Sequence, residues 1–75
     1  MTEREMTFGE KAVGLTFNPS GDEGVNRIKK AYADIIDLCN DARNGANGEK
    51  ARLFSVAITE AQTAQMWAVK AITWK

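Results

Sequence analysis

Histidine is absent from these 75 residues, cysteine and proline each occur once, and neither sign of charge predominates. Each shortage closes a route. Without histidine the usual general base near neutral pH is missing, and no serine or cysteine stands beside a candidate base in a recognisable nucleophile motif. A lone Cys39 forbids an internal disulfide, and one thiol with no imidazole offers a structural zinc ion too few of its customary ligands. Ten basic residues balance ten acidic ones, and the pI is about 6.2. That is a poor footprint for duplex DNA binding, which draws on many lysine and arginine contacts to phosphate. No apolar run nears the ~20 residues that a bilayer-spanning helix needs, and no glycine-rich phosphate loop of the Walker type is present. The opening Met1-Thr2-Glu3-Arg4-Glu5 is charged and leads into no apolar stretch, so a cytosolic protein with reduced Cys39 is expected rather than a secreted one. The exclusions together leave a small binding protein, not an enzyme, with no metal and no cofactor.

Length adds a further constraint. A chain this short is one domain, residues 1–75, and its own core rarely supplies more than roughly 3–5 kcal/mol. Domains of this size usually borrow stability from a disulfide, a metal or a partner subunit. Since composition removes the first two, a homo-oligomer is expected.

Three segments follow one another. Residues 1–19 hold two of the three phenylalanines, Phe8 and Phe17, and are punctuated by Gly9, Gly14 and Pro19. Val13, Leu15 and Phe17 alternate with Gly14 and Thr16, so this stretch reads as an extended arm with a flexible beginning. Ser20-Gly21-Asp22-Glu23 fits a capping box that opens a first helix over residues 20–44. Along it Val25, Ile28, Tyr32, Ile35, Cys39 and Ala42 recur at steps of three and four, the stripe of a helix facing one long partner. Asn44-Gly45-Ala46-Asn47-Gly48 supplies residues tolerant of positive φ, and a second helix follows over 48–74. The short connection makes the two helices antiparallel neighbours. The architecture expected is therefore all-α: an antiparallel helical hairpin with an extended N-terminal arm, assembled into a homo-oligomer.

The second helix carries more apolar surface than a hairpin can use. One stripe holds Phe54, Ile58, Ala61, Gln65, Ala68 and Ile72; another beside it holds Leu53, Ala57, Ala64, Trp67, Ala71 and Trp74. Glu60 is the only charged residue between Leu53 and Val69. The alanines would let another helix approach closely, and an apolar stripe of this size usually marks an interface.

Chemistry-bearing residues are few. Asp34, Asp37 and Asp41 lie at helical spacing and read as a solvated acidic face, and Cys39 on the apolar stripe reads as a small packed thiol. Arg27, Lys29 and Lys30 cluster near the start of the first helix, close to its unpaired amides and positive dipole end. Phe17 and Asn18 lie just before it. An aromatic ring, a carboxamide and a basic pair can together hold a base and a phosphate. The competing account pairs Glu23 with Arg27 and Lys30 with Asp34, and packs Phe17 on the hairpin. Spacing alone leaves both open.

The order of these features is a familiar one. The arm Gly9-Glu10-Lys11-Ala12-Val13-Gly14-Leu15-Thr16-Phe17-Asn18-Pro19-Ser20-Gly21-Asp22, the helix start Val25-Asn26-Arg27-Ile28-Lys29 and the closing run Ala57–Ile72, with Met66-Trp67-Ala68 most distinctive, resemble the bacteriophage anti-CBASS sponge family. Its helical hairpin is shared with anti-Thoeris sponges. The resemblance covers about residues 8–72, and the loop at 44–47 contributes nothing to it. It implies a compact hexamer that sequesters cyclic oligonucleotide messengers uncut in the cytoplasm of the infected bacterium, so blocking CBASS signalling. Cyclic dinucleotides such as cyclic GMP-AMP would sit between protomers, and some members hold cyclic trinucleotides at separate sites, for which Gln62, Thr63 and Trp67 lie on a suitable helix. Carried onto this chain, the resemblance implies Phe17 as the stacking residue, where the family often has tyrosine, with Phe8 as the other choice. Lys30 would meet the phosphate, supported by Arg27 and Asn18. A small helical adaptor that binds another protein through the second helix is the alternative from a different class. A nucleic-acid binder using Arg27, Lys29 and Lys30 ranks below both, and neither a duplex nucleic acid nor a membrane partner is expected.

Overall fold

The computed structural model describes residues 5–75. The charged start over residues 1–4, and with it most of the flexible beginning expected of the arm, lies outside the described residues. Three helices follow in order: α1 Phe8–Val13, α2 Glu23–Asn44 and α3 Gly48–Ile72. No strand occurs among the described residues. Helices α2 and α3 form the expected antiparallel pair.

The arm is not extended. Thr7 caps α1 through a capping box: its hydroxyl accepts from the Glu10 amide at 3.1 Å, and the Glu10 carboxylate accepts from the Thr7 amide at 2.9 Å. Gly14, at φ 62° and ψ 53°, ends the helix, with its own amide on Lys11 and the Leu15 amide on Glu10. A Thr-x-x-Glu signal and a left-handed glycine stop were therefore both present in the sequence. Six residues are too few to display a helical period, which is why the alternation of Val13, Leu15 and Phe17 gave the wrong state.

The start of α2 is corrected as well. Asp22, not Ser20, is the N-cap, its carboxylate accepting from the Gly24 amide at 2.6 Å. Gly21, at φ 68°, turns the chain between the two candidates. Ser20 is left to brace the turn, accepting from the Asp22 amide and donating to the Asn18 side-chain oxygen at 2.7 Å. At the far end of the hairpin only Gly48 uses positive φ, at 60°.

The face that α2 buries is rotated by about one residue from the apolar stripe. Its buried positions are Val25, Lys29, Ala33 and Ile36, while Ile35 is 49% exposed and Ala42 is exposed. The cause is that α2 has two partners, α1 and α3, which scarcely touch each other. Val13 of α1, Ala33 and Ile36 of α2 and Ile58 of α3 make the buried core, with Tyr32, Cys39 and Ala61 packed at its edge. Helix α1 comes unusually close: a Cβ on Gly9 would stand 2.0 Å from the Ala33 carbonyl oxygen. The Gly9 amide donates to the Asp37 carboxylate at 2.7 Å. Arg43 closes the other end, donating to Ser55 and Asn40 while its guanidinium lies 5.4 Å from the Phe8 ring centre.

On α3 the inner stripe follows the expected register, with Ile58 and Gln65 buried. The second stripe is open to solvent, Leu53, Trp67 and Trp74 being 54%, 64% and 72% exposed. None of the described helices is long and apolar enough to cross a membrane.

Candidate functional site

The turn between α1 and α2 is held by a lysine. Lys29 is only 5% exposed, because it lies one helical turn after Val25 on the buried face. Its ammonium donates to the carbonyl of Gly14 at 3.0 Å and to that of Phe17. The same ammonium stands 5.6 Å from the centre of the Phe17 ring. Two carbonyls and an aromatic face satisfy the cation's hydrogen bonds without neutralising its charge.

Around this lysine the turn, α2 and the last third of α3 enclose a cavity of about 690 Å³. Phe17, Asn18 and Pro19 of the turn, Val25 and Lys29 of α2, Gln65, Met66 and Val69 of α3, and the exposed Lys11 line it. Every ionisable side chain lining it is a lysine. An apolar cleft with a buried positive charge and no carboxylate suits an anion that carries flat apolar rings.

The candidate residues divide at this cavity. Phe17 lines it and is 70% exposed, so its ring is available rather than packed on the hairpin. Asn18 lines it too, but its amide donates to the Asp22 carbonyl at 3.0 Å and the Asn26 side chain at 3.1 Å, which braces the loop. Lys30 lies off the cavity and pairs with Asp34 at 2.6 Å across an exposed face. Arg27 is also exposed on α2 and lines no part of the cavity. Phe8 is at the other end of α1, against Arg43. Gln62 donates to the Ala12 carbonyl at 3.1 Å and ties α3 to α1. Missing from the candidates were Lys11, Lys29 as the inward lysine, and Gln65 with Met66. For Lys29 the signal was its i, i+4 relation to Val25; for Gln65 it was a polar residue on an otherwise apolar stripe. No group of three or more His, Cys, Asp or Glu among the described residues could hold a metal ion.

The sequence pattern of the family described as "Acb2/Tad1, hairpin domain" matches residues 10–73. The chain belongs to that family. Its members are the anti-CBASS and anti-Thoeris sponges, which bind signalling molecules rather than transform them. No curated protein and no solved structure matches the chain. The matched span contains the cavity-forming turn, all of α2 and all of α3, so the family's hairpin and the cavity are parts of one unit.

Proposed function

We propose that this protein is a phage-encoded sponge that binds cyclic oligonucleotide second messengers, cyclic dinucleotides such as cyclic GMP-AMP first among them, and withholds them uncut from CBASS effectors in the host cytoplasm. The observation that carries the proposal is the cavity in which Phe17 stands over the buried Lys29. Phe17 stacks on a base. Lys29, with the exposed Lys11, supplies the positive potential for the phosphates, a part first sought in Lys30. Sequestration needs no catalytic group; it needs an affinity and an abundance that keep free messenger below the effector's threshold. The exposed stripe on α3 supports assembly into a closed homo-oligomer, a hexamer by family resemblance, which would bring cavities of different protomers together.

The test is calorimetric titration with cyclic GMP-AMP, followed by heat denaturation and chromatography of the released ligand. Tight binding with intact ligand recovered is expected. Phe17→Ala should weaken binding about ten- to hundredfold, since a stacked base contributes roughly 1–3 kcal/mol. Silence across a panel of cyclic di- and trinucleotides would sink the sponge reading. The second reading, an adaptor that uses the exposed Leu53, Trp67 and Trp74 of α3 to hold another protein, would then take its place.

A further inference from the structure

Two charges on the outer face of α3 stand without a counter-ion among the described residues. Glu60 is exposed and makes no hydrogen bond or ion pair there. Lys70 is exposed too, and its ammonium meets only the rings of Trp67 and Trp74, 5.3 and 5.6 Å from their centres. Both charges belong to a pattern that the cavity does not use. Ala57, Ala64 and Ala71 recur every seven residues, and Glu60, Trp67 and Trp74 fall between them at steps of three and four. Lys70 flanks this row, and every side chain in it is exposed. Trp74 lies past the end of α3, but its amide donates to the Ala71 carbonyl at 3.3 Å and keeps it on the last turn. The spacing is that of a coiled-coil seam in which small and large residues alternate.

We infer that α3 pairs antiparallel with the α3 of a second copy, about a two-fold axis passing between Gln65 and Met66, and that Glu60 of each copy meets Lys70 of the other. In this register Ala57 lies opposite Trp74, Ala64 opposite Trp67, and Ala71 opposite Glu60, with Lys70 beside it. Each indole then has an alanine methyl across from it, which lets the two helices approach closely. Each Glu60 also comes within about 1.5 Å, measured along the helix, of the level of Lys70 across the seam. Other registers keep the spacing and lose the charges. Sliding one helix by a heptad in one direction brings the two Glu60 residues to about 6 Å apart along the helix; the opposite slide brings the two Lys70 residues to about 3 Å. A parallel pairing sets Glu60 against Glu60 and tryptophan against tryptophan. Like charges brought together disfavour all three, so charge selects the register that size leaves open. None of the seam residues lines the cavity, so the pairing is tested apart from ligand binding.

The experiment is native mass spectrometry and analytical sedimentation of the full chain. It compares wild type, Glu60→Lys, Lys70→Glu, the double exchange, and an equimolar mixture of the two single variants, with circular dichroism on each. Both side chains are exposed, so the helices should persist in every sample. Either single variant sets like charges against each other twice across the axis and should weaken association about tenfold or more. The double exchange should restore it. The mixture should restore it as well, in mixed pairs, because each chain then offers the other the opposite charge at both positions. A contact made through some other face would show no such rescue. Single variants that associate as wild type does, or losses that neither the double exchange nor the mixture repairs, overturn the seam. A wild type that runs as a single chain overturns it too.

Discussion

Gly9 is fixed by what stands opposite it. With the Ala33 carbonyl oxygen 2.0 Å and its carbon 2.8 Å from where a Cβ would be, the obstruction is backbone and cannot step aside. Gly9→Ala should push α1 off α2, stretching the bond from the Gly9 amide to Asp37 and opening the core around Val13. A loss of about 1–3 kcal/mol is expected, as for other overpacked cores, measured by thermal or urea denaturation; a variant as stable as wild type would show that α1 is not seated this closely. Lys29 is the opposite case, fixed by what it donates to. Lys29→Met keeps the stem in the core but strips the Gly14 and Phe17 carbonyls of their donor. It should loosen the turn and remove the buried charge together. The distinguishing variant is Lys29→Arg, which keeps the charge and should retain part of the ligand affinity that Lys29→Met loses. Equal loss in both would mean that the shape of the ammonium, not its charge, matters to the cavity.

At the scale of elements, α1 depends on its caps and α3 on its length. Thr7→Ala deletes one half of the α1 capping box and should cost about 1 kcal/mol. The loss should appear as faster amide hydrogen exchange in α1 with that of the middle of α3 unchanged. In the first turn of α3 the Arg52 guanidinium, bonded to Glu49 at 2.7 and 2.9 Å, holds the Glu49 carboxyl below its ordinary value near 4.5. A lowered folded-state pKa adds stability above the ordinary carboxylate range, and that stability is lost as pH falls through the lowered value. The pair is exposed and its effect on stability small, so the check is an NMR titration of the Glu49 carboxyl, whose midpoint should rise in Arg52→Ala. The two long helices were legible because 22 and 25 residues give hydrophobic period and loop signals room to agree. Helix α1 was not, since its evidence is confined to Thr7, Glu10 and Gly14. The inward face of α2 was read one residue off because a count of apolar positions passes over Lys29, whose burial depends on carbonyls twelve and fifteen residues away. For the same reason the sequence set Phe17 and Asn18 just before α2 but singled out Lys30, whereas the lysine that turns inward is Lys29.

The whole molecule is a single layer. Its extents are 42 × 37 × 13 Å, and the shortest is about the diameter of one helix with its side chains. Stable domains generally pack two layers around a core, and among the described residues the buried core here is Val13, Ala33, Ile36 and Ile58, where three helices meet, with Val25 buried apart from it. Nothing among the described residues covers the outer stripe of α3. Along it Ala57, Ala64 and Ala71 alternate with Leu53, Trp67 and Trp74, all exposed, and Lys70 lies 5.3 and 5.6 Å from the two indole centres. Small residues between large ones let a second helix approach closely, whereas a solvated helix would carry charge there. A second layer supplied by another copy would cover the stripe and double the thickness. Ala64→Arg puts a long charged side chain at the middle of that stripe and touches nothing in the hairpin core. In native mass spectrometry and gel filtration the wild type should run as a closed multiple of 8.3 kDa, and Ala64→Arg should fall toward the single chain with its helical circular dichroism retained at low temperature. Because a one-layer fold has little core of its own, the separated chain should also melt earlier, and its melting temperature should no longer rise with protein concentration. An Ala64→Arg protein that keeps the wild-type mass would place the second layer elsewhere on the sheet of helices; a wild type that is already a single chain would mean that one layer suffices.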